Sequence, residues 1–206
     1  MKLFNNPKLR HLLSELDRAR DLFNEHEHAQ ALEVYRAAQE ELKRLGATSA
    51  FVLWNMAIAA DNMGDLPVAL DLVVQAVMLD PLAIPFRNSF DIIARRIRDA
   101  LAAPERKVDD PATPRLYELL TRVGGADVPA HVAMARFCAA TGDLPRARAI
   151  AAATTLLHPM EREAWLCKAE VARTAGEPEE AAVCTAEAAA LEGEPVPFAV
   201  PGVAQG

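Results

Sequence analysis

Few residues in this chain are equipped for bond-making chemistry. His26 and His28, in NEHEH, are two apart and carry nitrogens that can ligate a metal, but they fall where the chain turns between two helical stretches, and a solvated turn accounts for them better. Cys138, Cys167 and Cys184 are odd in number and lack metal-ligand spacing, which fits small buried hydrophobes in a reducing compartment. Acidic residues crowd 161–194 at mostly surface spacing, without a carboxylate pair set apart for acid–base work. No phosphate-cradling glycine loop, GxSxG, HExxH or CxxC occurs. The expectation is a non-enzyme with no catalytic residue, cofactor or metal.

The elements that would present any site are helical. Ala supplies about a fifth of the 206 residues and aromatics only 5%, a mixture that favours helix because Ala, Leu, Glu and Arg lose little freedom there. A net charge of -7 argues against nucleic acid or an anionic membrane as a partner held by bulk charge. The opening MKLFNNPKLRHLL lacks the sustained apolar run of a signal peptide. AFVLWNMAIAA (50–60) is too short to span a bilayer, so a cytoplasmic protein without membrane insertion is expected. In a bacterium, the preference for Arg over Lys and the wealth of Ala would suit a GC-rich genome.

One short turn is written repeatedly: MGDLPVAL around Gly64, TGDLPRAR around Gly142, and AGEPEEAA around Gly176. Seven residues before these glycines stand Ala57, Ala135 and Ala169; five after stand Ala69, Ala147 and Ala181; twelve after stand Ala76, Thr154 and Ala188. Gly closes a helix by accepting the left-handed conformation. Asp65, Asp143 or Glu177 then puts a carboxylate at the start of the next helix, and Pro67, Pro145 and Pro178 fit its first turn. The small residues let two antiparallel helices approach closely. Pro81 and Pro159 stop the second helix and launch the next unit.

This pattern resembles the tetratricopeptide repeat (TPR), a 34-residue helix–turn–helix unit. The expectation is an all-α chain, a right-handed α-solenoid of about five hairpins. Residues 49–82, 128–161 and 162–195 are the clear copies, the last with the family's early tryptophan as Trp165. Residues 1–48 are a weaker copy in which His26 replaces the turn glycine, Ala19, Ala31, Tyr35 and Ala38 hold the repeat spacing, and the second helix runs on to Gly46. Bulky residues usual in the family are reduced to Ala60, Val73, Cys138, Ala151, Ala172 and Thr185, which predicts slimmer packing.

Residues 83–127 read as a degenerate hairpin rather than an interdomain linker. Phe86, Phe90, Ile93, Ile97 and Leu101 form one stripe of a helix beginning near Pro85, APERKVDDPATP (103–114) is an inserted loop, and Leu116, Leu119, Leu120 and Val123 mark a second helix. The tail, 196–206, is expected to be extended or mobile.

In the TPR family the residues ten, nine, six and three places before the turn glycine tend to line an inner groove. Carried over, the resemblance implies a partner-binding surface of Arg20, Trp54, Asn55, Ile58, Arg87, Asn88, Asp91, Arg95 and Arg136, with Ile97 taken as the origin of the third unit. Asn amides suit an extended backbone, and arginines grip carboxylates by paired donors. The family's Lys/Asn/Arg carboxylate clamp is matched in part, through Asn55. Trp54 and Ile58 suit packing between neighbouring hairpins equally well, and the ARRIRDA arginines suit a solvated face. The implied function is a scaffold or adaptor that holds a peptide or helix of another protein; the alternative is a TPR-type chaperone for a secreted or pilus client.

Overall fold

Every backbone amide in a short helix must be accounted for at its ends, and here the ends are where the sequence speaks most clearly. The computed structural model describes residues 7–192, which form helices and, among the described residues, no strand. The helices are α1 (Pro7–Asn24), α2 (His28–Arg44), α3 (Ala50–Asn62), α4 (Leu66–Leu79), α5 (Ile84–Ala102), α6 (Thr113–Arg122), α7 (Val128–Ala140), α8 (Leu144–Leu157), α9 (Arg162–Thr174) and α10 (Pro178–Ala190). The fold is all-α. The C-terminal tail expected over 196–206 lies outside the described residues.

The repeated turn is one hydrogen-bonding unit. At Gly64 the glycine N–H donates to Asp61 O (3.0 Å) and the Asp65 N–H to Ala60 O (2.9 Å), with φ +79° at the glycine. This pair of bonds is a Schellman motif, which satisfies carbonyls the helix end leaves open. Gly142 repeats it onto Ala139 and Cys138, and Gly176 onto Arg173 and Ala172. At His26, with φ +64°, the same two bonds run to Phe23 and Leu22, the one non-glycine positive φ among the described residues. The substitution read from the repeat spacing is therefore a real left-handed turn carried by a histidine.

The following helix starts as its carboxylate dictates, with one difference. Asp65 accepts from the Val68 N–H (3.3 Å) and Asp143 from the Arg146 N–H (3.2 Å), each cap contributing about 1 kcal/mol. Glu177 makes no such bond. Its extra methylene carries the carboxylate past its own helix to Arg148 at 2.8 Å.

Small residues set the contacts between helices. Ala57, Ala135, Ala169, Ala69, Ala147 and Ala76 are fully buried, and Thr154, Ala181 and Ala188 nearly so. Ala19, Ala31, Tyr35 and Ala38 of the first hairpin are buried at the matching places, where Ala19, Ala31, Leu32, Tyr35, Val52, Met56 and Ala59 form one continuous core cluster. Of the positions read as reduced in bulk, Ala60, Val73, Cys138, Ala151 and Ala172 are buried while Thr185 is exposed. Ala151 and Ala172, with Ala152 and Val171, border a cavity of about 150 Å³.

The helices fall into two units: α1–α6, and α7–α10 together with Lys107–Asp110. In the first, α1 packs on α2, α2 on α3, α3 on α4, α4 on α5, and α5 on the short α6, which also reaches α4. The stripe of α5 buries Phe86, Ile93, Ile97 and Leu101, leaving Phe90 half-buried. In the second, α7 packs on α8, α8 on α9 and α9 on α10, with α7 also touching α9.

Candidate functional site

The first helices of successive hairpins meet along seams, and the seams organise everything around them. In the first unit the Trp54 indole Nε1 donates to Ser89 Oγ (2.9 Å), and the Trp54 ring lies 5.6 Å from Phe86 and 5.7 Å from Phe51. Two turns further along α3, the Arg96 guanidinium pairs with the Asp61 carboxylate. Both links join α3 to α5 across 35 residues. In the second unit Arg136 of α7 holds Glu170 of α9 with two bonds, Nε to Oε2 at 2.8 Å and Nη2 to Oε1 at 3.0 Å, across 34 residues. Those bonds push the Arg136 guanidinium further toward its charged form, against the effect of its partial burial.

At about 100° per residue, the positions flanking the α3–α5 seam follow directly. On α3 they are Phe51, Asn55 and Ile58; on α5 they are Asn88, Ile92 and Arg95. Phe51 and Ile92 are more than half exposed. The half-buried Asn55 donates its Nδ2 N–H to Phe51 O (2.9 Å) within its own helix. Asn88 and Arg95 are exposed and make no side-chain bond among the described residues. Seam and flanks together form an apolar strip edged by an amide and a guanidinium.

The residues expected to share one groove are thus placed differently. Trp54, Asn55, Ile58, Asn88 and Arg95 border the seam, Asp91 stands on the same outer face as Asn88 and Arg95, three and four residues from them, and Arg87 falls on the side of α5 opposite Ser89. Arg20, exposed on α1, is held by Asp17 (3.0 Å) and lies 3.9 Å from Asp21. Arg136 sits in the second unit and is engaged by Glu170. Phe51, Ser89 and Ile92 went unread, and Arg96, expected on a solvated face, instead pairs with Asp61; the signal that finds Ser89 and Arg96 is the repeat period, since each lies 35 residues from its seam partner.

The second unit carries its own first-helix surface. Arg136, Ala139 and Ala140 of α7 and Glu170, Val171 and Thr174 of α9 line a cavity of about 270 Å³ with Val108. No acid–base or nucleophile pairing is evident there among the described residues. Cys167 is buried and desolvation pushes its thiol up to about 12; burial raises the Cys138 and Cys184 thiols as well. His26 forms the turn, and His28 packs its ring 5.0 Å from Phe23.

Recurring Schellman turns, alanine contacts and seams one period apart together fix the kind of unit. In their spacing the hairpins resemble the tetratricopeptide repeat. No family model matches this chain, and no curated protein sequence does. Among solved structures it is similar to MamA (residues 41 to the end) from Desulfovibrio magneticus RS-1, at 16% identity over 91% of this chain and 96% of that one, with a TM-score of 0.40. It is also similar to a thermophilic TPR protein, TTC0263, in Thermus thermophilus, at 18% identity over 88% and 91%, TM-score 0.40. A third is the TPR2AB domain of yeast Sti1 in its pHSP90 complex, at 17% identity over 87% and 77%, TM-score 0.39. Among the described residues no helix is long and apolar enough to cross a membrane.

Proposed function

We propose that this chain is a protein-interaction scaffold whose α3–α5 surface binds a segment of another protein. The observation that supports this most directly is the strip itself: Phe51 and Ile92 stand exposed beside Asn88 and Arg95, whose side chains have no intrachain partner among the described residues. Apolar side chains flanked by unspent donors suit a segment that offers aliphatic or aromatic anchors plus backbone carbonyls or carboxylates. Affinity purification from the native cell tests it, comparing wild type with Phe51→Ser/Arg95→Glu on the strip and Arg87→Glu on the far side of α5. Loss of partners with the strip variant and retention with Arg87→Glu is the expected result. Equal recovery in all three overturns the assignment.

The chaperone reading has one observation in its favour. Met78, Leu79 and Leu82 in the first unit, and Leu156, Leu157 and Met160 in the second, are exposed at identical offsets from Gly64 and Gly142. Exposed apolar clusters of this kind suit an unfolded client. A light-scattering assay in which the chain keeps a client soluble, and Met78→Ser/Leu82→Ser does not, separates it from the scaffold.

A further inference from the structure

Two side-chain links fix how α3 and α5 lie against each other. Trp54 Nε1 donates to Ser89 Oγ at 2.9 Å, and two turns further along both helices Asp61 meets Arg96. The helices therefore run side by side in the same direction, each α3 residue level with the α5 residue 35 places on. We infer that the α3–α5 strip takes its partner segment as an amphipathic α-helix laid along the two, with apolar residues at i and i+7 and an acidic residue at i+11. The inference rests on the scaffold reading above and gives the partner at that same site a form and a chemistry.

On the solvent side of the seam this register sorts the side chains into layers. Phe51 and Ile84, each more than half exposed, form the first. Asn55 and Asn88 come next, the half-buried Ile58 and the exposed Ile92 form a second apolar layer, and Arg95 and Asp99 follow. At about 1.5 Å per residue, Phe51 and Ile58 are about 10.5 Å apart and Ile84 and Ile92 about 12 Å. A helix brings a side chain back to one face at i+7, about 10.5 Å on. A strand does so at about 6.7 or 13 Å, and a polyproline helix at about 9 Å. The spacing of the two apolar layers is that of a helix.

The polar groups favour the same form. A helix satisfies its own backbone, whereas an extended segment needs donors and acceptors along its length. The strip is poor in them: Asn55 gives an amide N–H to Phe51 O of its own helix, and Ser89 Oγ already accepts from Trp54. Charge completes the match. Arg95 is exposed and forms no ion pair among the described residues, although Asp91 and Asp99 lie one turn away on either side. It stands about 16 Å beyond Ile84 on the same face, the rise that carries a partner helix from i to i+11. A carboxylate there meets the guanidinium, and a basic residue at i+14 meets Asp99.

The probe is an alanine-based peptide with leucines seven apart, a glutamate four further on and a lysine three beyond that. A side-chain staple on its far face holds it helical, because so short a helix is marginal alone. Its control is unstapled, with a proline midway between the leucines. Each is titrated into the full chain while NMR follows the Trp54 indole N–H and the Asn88 side-chain amide, with the Trp165 indole N–H of the second unit as reference. The stapled probe is expected to shift Trp54 and Asn88, leave Trp165 unmoved, and bind at least tenfold more tightly than the control. Phe51→Ser is expected to weaken it at least tenfold and Arg87→Glu to leave it unchanged. Arg95→Glu is expected to weaken it too, and a probe with lysine in place of its glutamate to restore binding to that variant. All three positions are exposed, and circular dichroism checks that the helices persist. Equal binding of probe and control, tighter binding of the control, or an unmoved Trp54 overturns the inference. The affinity purification above tests the scaffold reading separately. Partner recovery that depends on the strip, alongside probes that bind alike, removes the helical form alone; recovery that ignores the strip removes both.

Discussion

Exchanging the turn residue of the first hairpin offers a sharp test of how these repeats are built. His26 sits at φ +64°, where a side chain with a Cβ crowds its own carbonyl, while the equivalent turns use glycine at φ +79°, +87° and +78°. The left-handed conformation costs an ordinary L-residue roughly 1–2 kcal/mol, and glycine returns about 0.4–1 kcal/mol of that through the greater freedom of its unfolded chain. His26→Gly is therefore expected to stabilise by about 0.5–1 kcal/mol, a rise of about 2–4 °C in Tm per kcal/mol for a chain of this size. Gly142→Ala is the mirror experiment. An added Cβ there meets no heavy atom within 4 Å, so the loss, again about 0.5–1 kcal/mol, comes from backbone strain without a clash. Urea unfolding followed by far-UV circular dichroism reads both, with the midpoint moving and the slope constant. A neutral or stabilising Gly142→Ala, or a destabilising His26→Gly, would refute the account of the turn.

Three further outcomes follow from other parts of the molecule. In a double-mutant cycle with Arg136→Gln and Glu170→Gln, the half-exposed pair is expected to show a coupling of about 0.5–1 kcal/mol that shrinks as salt is added. Burial and the nearby His158 hold His131 below its ordinary 6.5, with Asp127 pulling the other way. The native state thus takes up that proton less readily than the unfolded chain, so stability should fall as pH drops from about 6.5 through the folded value, and His131→Gln should flatten the fall seen in thermal melts. Ala151→Val, directed into the 150 Å³ cavity beside Ala172, should raise stability by about 0.5–2 kcal/mol in the same urea assay.

How much of this was readable from the letters depends on how local each cause is. Gly64, Gly142 and Gly176, their caps and their flanking alanines were legible because each is decided within one helix end or one helix pair. His26 was legible for the same reason, through its offset from Ala19 and Ala31. The α5 face was not. Its frame hangs on Ile97, which lies inside an unbroken helix, 33 residues after Gly64, whereas the seams made by Trp54 with Ser89 and Asp61 with Arg96 run at 35. That two-residue difference is why the repeat spacing places Arg87 in the groove although it lies opposite Ser89 on α5.

The fully enclosed alanines carry one more implication. Ala57, Ala69, Ala76, Ala135, Ala147 and Ala169 are wholly shut off from solvent, and where helices meet on them a larger side chain must push the helices apart. A saturation library of this gene should accordingly read as a comb, its teeth of intolerance recurring with the hairpins and its permissive gaps falling between them, so that the period of the fold is recoverable from survival data alone.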